Sequence, residues 1–325
     1  MHPLQIAIKN ISDEQLLVQV VELLVECDAD VNLADSDDIS PLSLASYKGF
    51  PRVVEMLIKC GADVNVEDES DEEDGSDKPW APLLYAAAYG HIEVTQILLK
   101  AGSSVKCTDS DGNSPLNKSS RENFFEVSKL LIEAGADIEK SDYSGHTPLI
   151  RAIFNENLEL IDLLIASGAE VNNSEYGEAA PLMWAVSEME NVDITKRLLD
   201  AGASVDPVND EGKTPLMWSC QNGNDEIVKT LIEAGANINA KDNNGKTALM
   251  YACHDDGENS VKILLEAGVD INAKDNEGRT ALERIYGYME GEGEDDEYNK
   301  VTEEGCVGII RTLSEMIKRN GIRKL

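Results

Sequence analysis

A 33-residue repeat constrains the fold of this 325-residue chain more than any other feature of its sequence. A Pro-Leu or Ala-Leu pair recurs, and from the third copy onward its leucines are 33 or 34 residues apart. The leucines are Leu4, Leu42, Leu83, Leu116, Leu149, Leu182, Leu216, Leu249 and Leu282. A second marker, glycine followed by Ala, Ser or Val, keeps the same register from Gly61 to Gly268. Because two markers share one period, the sequence predicts one array of about nine repeats rather than two unrelated domains.

The repeat at residues 209–241 shows how each unit is expected to fold. Thr214 precedes Pro215, the order of an N-cap hydroxyl and a proline at the first helical position. A short helix is predicted over Leu216–Gln221. The apolar residues that follow fall on one face of a second helix; they are Ile227, Val228, Leu231 and Ile232. Two helices this short cannot bury their apolar faces alone, so neighbouring repeats must stack.

The pattern Thr214-Pro215-Leu216, followed by Gly223 and then by LIEAGANIN at 231–239, resembles the ankyrin repeat, whose signature is TPLHxA. The resemblance covers nearly the whole chain. It implies an all-α solenoid of paired antiparallel helices, with β-hairpin or turn fingers between repeats and inner helices along a concave face. The histidine that usually follows the leucine is absent from all nine copies, which weakens one inter-repeat hydrogen bond of the family pattern.

Two acidic segments interrupt the period. One finger carries an insertion at 66–80, and residues 66–78 (VEDESDEEDGSDK) hold eight acids and one lysine. A second acidic insertion, at 288–304, interrupts the last repeat. We therefore predict an N-terminal capping repeat at 1–33 with a helix from Ser12 to Glu26. Central repeats follow at 34–279, and a C-terminal capping repeat at 280–325 ends in a helix from Gly308 to Arg319.

The net charge restricts the partners. Sixty-two acidic residues against 28 Lys and Arg leave a formal charge of −34, which repels nucleic acids and anionic membranes. No apolar run approaches the ~20 residues that a bilayer requires, and the first ten residues lack the pattern of a secretory signal. We expect a cytoplasmic monomer that binds neither nucleic acid nor membrane.

Motifs of catalysis and of metal or phosphate binding are absent from the sequence. There is no HxxxH, GxSxG, Walker or GxGxxG pattern, no EF-hand loop, and no CxxC pair among the six cysteines. We therefore predict no catalytic residue, no metal site and no cofactor. The rival hypothesis from another functional class is an enzyme whose site lies within the acidic insertions. The sequence shows no nucleophile or set of metal ligands that would support it.

The resemblance implies that partner contacts come from inner helices and fingers. The inner-helix candidates are Tyr47, Tyr85, Tyr89, Arg121, Arg151, Phe154, Trp184, Glu188, Trp218, Gln221, Asn222, Tyr251, His254 and Asp255. The finger candidates are Asp37, Asp111, Asp210 and Glu211. The acidic-loop candidates are Glu67, Asp68, Glu69, Asp71, Glu72, Glu73, Asp74, Glu294, Asp295, Asp296 and Glu297. A further finger series occupies the family's turn-capping position and needs no partner: Asp35, Asp109, Asp142, Asp242 and Asp275.

Three of the aromatic candidates are expected to stack as a ladder. Trp184, Trp218 and Tyr251 are 34 and 33 residues apart, so they hold equivalent places in successive repeats. The ladder would either pack repeat against repeat or anchor a partner, since Trp and Tyr are enriched among binding hot spots.

These observations predict a non-enzymatic protein–protein interaction module. It would bind a basic partner protein through its concave face and finger loops. The alternative is an acidic inhibitor or immunity-type protein that caps a basic toxin or nuclease by mimicking nucleic acid. A scaffold would have several partners, whereas an inhibitor would have one basic enzyme.

Overall fold

The computed structural model describes residues 3–65, 80–173, 180–253, 257–289 and 303–319. Within these ranges the chain forms helices and turns and no β-strand, so the all-α prediction is confirmed. The helices fall into two bodies, Met1–Glu170 and Val171–Leu325, which we call the first and second body. The prediction that 1–325 form one continuous solenoid with the stated repeat boundaries stays a prediction.

The described helices of the first body form five successive pairs. They are α1 (Pro3–Asn10), α2 (Glu14–Glu26), α3 (Pro41–Lys48), α4 (Pro51–Lys59), α5 (Pro82–Ala88), α6 (Ile92–Lys100), α7 (Pro115–Arg121), α8 (Phe125–Glu133), α9 (Pro148–Phe154) and α10 (Leu158–Ala166). The first helix of each pair packs on the first helix of the next, from α1 to α9. The second helices pack in the same order from α2 to α10, which gives an inner and an outer layer.

The second body repeats this arrangement with four described pairs. They are α11 (Pro181–Ser187), α12 (Val192–Asp200), α13 (Pro215–Gln221), α14 (Asp225–Glu233), α15 (Ala248–Tyr251), α16 (Glu258–Glu266), α17 (Ala281–Met289) and α18 (Glu303–Arg319). Inner helices α11, α13, α15 and α17 pack in sequence, as do outer helices α12, α14, α16 and α18. The core lies between the two layers, where Leu216 and Leu231 are fully buried.

The inner helices begin as the sequence predicts. At the start of α13, the hydroxyl of Thr214 accepts a hydrogen bond from the backbone N–H of Met217, and Pro215 is the first helical residue. Ser40, Ser114 and Thr147 cap their helices in the same way. The Ser/Thr-Pro-Leu signature is therefore a helix-start signal that recurs once in each of these repeats.

Two helix boundaries differ from the expected ones. Helix α2 begins at Glu14 rather than Ser12, because the carboxylate of Asp13 accepts from the backbone N–H groups of Gln15 and Leu16. Helix α18 begins at Glu303, five residues before the predicted Gly308, so it overlaps the end of the predicted insertion at 288–304. The sequence places Gly305 and Gly308 in this stretch, and glycine is a poor helix former that suggests a later start.

A carboxylate closes five of the described fingers, and these fingers are turns. The backbone N–H of Asp142 donates to the carbonyl of His146 at 3.2 Å. Oδ1 of Asp142 accepts from the N–H groups of Ser144 and His146 at 2.9 and 3.0 Å. The same arrangement occurs at Asp35, Asp109, Asp242 and Asp275. The predicted turn-capping role of these aspartates is therefore confirmed.

Asparagine side chains link successive repeats within each body. Nδ2 of Asn172 donates to the carbonyl of Gly202 at 3.1 Å, and its Oδ1 accepts from the N–H of Ser204 at 2.7 Å. Asn65 makes the equivalent pair of bonds, at 3.2 and 2.7 Å, to the following repeat. One side chain thus satisfies a backbone donor and a backbone acceptor that have no strand partner.

Candidate functional site

Inner-helix cations pair with the finger aspartate nine residues earlier in the same repeat. The guanidinium of Arg151 donates to Oδ2 of Asp142. Nζ of Lys118 lies 2.5 Å from Oδ2 of Asp109. In each pair the aspartate side chain is at most 2% exposed. Arg151, a predicted partner contact, therefore stabilises its own finger, and only 17% of its side chain is exposed.

The pKa values of two finger aspartates reflect these contacts. Burial raises the pKa of the Asp142 carboxyl, but the hydrogen bonds from Arg151 and from the backbone N–H of His146 outweigh burial and hold this pKa below its usual range. Burial likewise raises the pKa of Asp275, and the backbone N–H of Arg279 and the guanidinium of Arg284 outweigh it. These carboxylates are charged at neutral pH, and their charge is directed to donors within their own repeats.

Three predicted tyrosines meet in the first body. The ring of Tyr47 lies 5.8 Å from that of Tyr85 and 4.8 Å from that of Tyr89, both edge to face. Trp80 extends the cluster, 5.2 Å from Tyr85, and Nζ of Lys118 lies 4.2 Å from the centre of the Trp80 ring. Trp80 was not predicted as a site residue, because it was assigned to the end of the acidic insertion.

The other predicted residues of the first body are dispersed. The ring of Phe154 packs edge to face on His146 at 5.4 Å. Arg121 lies 3.7 Å from the carboxylate of its neighbour Glu122. The finger residues Asp37 and Asp111 are exposed and have no ion-pair partner among the described residues.

A groove of about 840 Å³ in the second body brings seven predicted residues together. They are Glu188, Asp210, Glu211, Trp218, Gln221, Asn222 and Tyr251. Four exposed carboxylates line this groove, and we call them the acidic rim: Glu188, Glu190, Asp210 and Glu211. Trp218 and Tyr251, which are less exposed, line the same groove and contribute aromatic surface. The predicted inner-helix and finger positions therefore converge here.

The predicted stacking of Trp218 directly on Tyr251 is wrong. No ring contact joins these two side chains, both of which lie in the described part of the chain. The ammonium of Lys213 instead lies 4.6 Å from the centre of the Trp218 ring and 5.1 Å from that of Tyr251. The same ammonium is 2.9 Å from Oε2 of Glu211. A cation thus separates the two aromatic side chains.

Lys213 and Trp80 hold the same repeat position, three residues before the repeat's leucine. Each side chain contacts the inner-helix residue of its own repeat and that of the next. Aromatic and cationic side chains therefore alternate at the base of the fingers in both places. The prediction missed this because it followed the helix position alone.

Tyr251 is fixed by a second contact. Its hydroxyl donates to Oδ2 of Asp242 at 2.7 Å. Burial raises the pKa of Tyr251, and the hydrogen bond and negative charge of Asp242 raise it further. The phenol is therefore neutral at physiological pH and acts in the groove as an uncharged aromatic surface.

Hydrogen bonds between neighbouring fingers hold the rim. Nδ2 of Asn243 donates to the carbonyl of Asp210 at 2.8 Å, and its backbone N–H donates to the carbonyl of Glu211 at 2.9 Å. Gly212, which follows Glu211, has a φ of 76°, and a Cβ there would lie 2.6 Å from Oδ1 of Asn243. On the other side, Nδ2 of Asn222 donates to Glu190 at 3.0 Å. The backbone under the rim is therefore ordered before a partner arrives, which lowers the entropic cost of binding.

The remaining predicted residues lie outside the described part of the chain. These are His254, Asp255 and all the acidic-loop candidates at 67–74 and 294–297. Their proposed role in binding stays a prediction.

The described ranges contain no group of three or more His, Cys, Asp or Glu that could hold a metal ion. None of the helices in those ranges is both long and apolar enough to cross a bilayer.

Comparisons with known protein families and solved structures agree with the observed paired helices. A family described as ankyrin repeats (3 copies) matches residues 83–175 and 179–283, and one described as ankyrin repeat matches residues 37–69. The chain belongs to the ankyrin repeat family. The crystal structure of the human ASB11 ankyrin repeat domain is similar to it, with a TM-score of 0.55 and 26% identity over 65% of this chain and 90% of that one. No curated protein matched the sequence. Ankyrin repeats are generally protein-interaction modules on a non-enzymatic scaffold.

Proposed function

We propose that the groove of the second body binds a basic segment of a partner protein. The observation that carries this proposal is that the acidic rim and an aromatic surface line the same groove. The four rim carboxylates face only two lysines in the groove lining, Lys213 and Lys246, so the lining carries four negative and two positive charges. A cationic peptide would find both charge complementarity and aromatic contact there.

The rim has charge available for a partner. Glu188 and Asp210 have no ion-pair partner among the described residues. Glu211 pairs with Lys213, but its side chain is 62% exposed. Exposed carboxylates act over the ~8 Å Debye length of physiological salt and attract a basic partner. Trp218 and Tyr251 act at contact, where apolar burial slows dissociation.

The size of the groove favours a short segment over a whole domain. A volume of about 840 Å³ lies within the range of sites that enclose a small ligand or a few side chains. This supports recognition of a peptide segment more than the alternative, in which the protein caps an entire basic toxin or nuclease.

Neutralising three of the four rim carboxylates is expected to weaken the binding of a basic peptide about tenfold, because three exposed charge contacts are each worth about 0.5 kcal/mol. The rim variant combines Glu188→Gln, Asp210→Asn and Glu211→Gln. The probe is a fluorescein-labelled nonapeptide of three Gly-Ser-Arg units, and its dissociation constant is measured by fluorescence anisotropy.

A matched variant controls for the charge of the whole protein. Asp200→Asn, Glu233→Gln and Glu266→Gln remove the same charge from exposed outer-helix residues of the same body. This outer variant should change the affinity less than about threefold. Equal losses in the two variants would mean that the net charge of −34 acts as a diffuse field and that the groove is not the binding site.

A further inference from the structure

The chain itself supplies a cation that lines the groove between an acid and two aromatic rings. The ammonium of Lys213 contacts Glu211 at 2.9 Å and lies over the rings of Trp218 and Tyr251 at 4.6 and 5.1 Å. Only 13% of the Lys213 side chain is exposed. The place therefore already accommodates a positive group between an acid and two aromatic faces.

These surroundings suit a guanidinium better than an ammonium. A guanidinium is planar, weakly hydrated and able to stack on an aromatic face while its edge donates two hydrogen bonds to a carboxylate. An ammonium is a strongly hydrated point charge that loses more solvation when it is covered. We propose that Lys213 is the resident occupant of an arginine subsite. One arginine of the partner replaces it against Trp218 and Tyr251 and pairs with Glu211.

This inference rests on the proposed function and names the side chain that the groove selects. The backbone of Lys213 need not move, since its N–H is held by Oδ1 of Asn209 at 2.9 Å. The displaced ammonium would move outward on its flexible stem, towards the exposed acids of the rim. Lys213 then acts as a specificity residue, because a side chain that binds less strongly than the lysine cannot replace it.

Lys246 provides the matched control. It lines the same groove, and its ammonium lies 5.9 Å from the ring of Tyr251. Its backbone N–H is held by Oδ1 of Asp242 at 2.7 Å, as that of Lys213 is held by Asn209. Lys246 has no ion-pair partner among the described residues, so it adds charge to the groove without occupying the Glu211 site.

The experiment compares Lys213→Met with Lys246→Met, which each remove one positive charge from the groove. Nonapeptides of three Gly-Ser-Arg or three Gly-Ser-Lys units serve as probes in the anisotropy assay. Lys213→Met should raise the affinity for the arginine peptide about fivefold and raise the preference for arginine over lysine. Lys246→Met should raise the affinity for both peptides equally, about twofold. Lys213→Arg places a stronger occupant in the subsite and should lower the affinity for the arginine peptide below that of the natural protein.

A second readout needs no change at Lys213. The indole N–H signal of Trp218, assigned in the NMR spectrum through Trp218→Phe, should shift when the arginine peptide is added to the natural chain. Equal effects of the two methionine substitutions, or an unshifted Trp218 signal at saturation, would overturn the arginine subsite. If the rim variant still weakens binding in that case, the proposed function stands without it. If neither peptide binds the natural protein, both proposals fail.

Discussion

Leu216→Ala is expected to destabilise the protein by about 2–5 kcal/mol, the cost of a large-to-small change in a packed core. Leu216 is fully buried on α13, which packs on α11, α14 and α15. Because each repeat of a solenoid is stabilised by both neighbours, a cavity in a central repeat weakens two interfaces. Urea unfolding followed by far-UV circular dichroism gives the free energy.

The control for Leu216→Ala is the same substitution at the same repeat position near the end of the body. Leu282 lies on α17 and is only partly buried, so Leu282→Ala should cost less, about 1 kcal/mol. Equal costs at the two leucines would contradict a stability that is additive over repeats and their nearest neighbours.

Asp142→Asn is expected to lower the free energy of unfolding by about 2–4 kcal/mol at neutral pH. This is slightly below the usual loss when a buried ion pair is broken, because the side chain of Arg151 retains some exposure. The amide can keep the turn, since Asn209 accepts the same two backbone N–H bonds at 3.0 and 2.9 Å in its own finger. The loss therefore reports the contact with Arg151. Asp111→Asn, an exposed change without an ion-pair partner among the described residues, should cost less than about 0.5 kcal/mol.

The stability difference between natural protein and Asp142→Asn should depend on pH. The pKa of Asp142 is lower in the folded than in the unfolded protein, so its stabilising effect is complete above the unfolded pKa of about 3.9. The effect is lost as the pH falls through the lower folded pKa. The free energies of unfolding of the two proteins should therefore differ more at pH 7 than at pH 3. A constant difference would show that Asp142 acts through its shape rather than its charge.

Local signals in the sequence account for the architecture. Thr214 and Pro215 predict the start of α13 because a hydroxyl cap and a proline act on their own turn of helix. The predicted start of α2 at Ser12 was two residues early, because the carboxylate of Asp13 caps the helix. The capping role of the finger aspartates was predicted from the family resemblance, and the N–H groups that Asp142 binds lie two and four residues away.

Interactions between repeats were harder to predict. Period alone places Trp218 and Tyr251 in equivalent positions, but it does not show which side chain lies between them. The ammonium of Lys213 lies 4.6 and 5.1 Å from the centres of the two rings. Only the folded repeat defines this geometry. The role of Arg151 was missed likewise, since a turn separates it from Asp142 and no helical spacing signals the contact.

Hydrogen–deuterium exchange of the full chain, with and without the Gly-Ser-Arg nonapeptide, tests most directly whether the groove is the binding site. The exchange pattern separates the groove from the other acidic stretches, because digestion resolves them into different peptides. We predict slower exchange at 187–190, 210–222 and 243–251, the stretches that contain the residues lining the groove. Slower exchange confined to 66–79 or 290–299 would contradict the account, since a basic partner would then be bound by the acidic insertions alone.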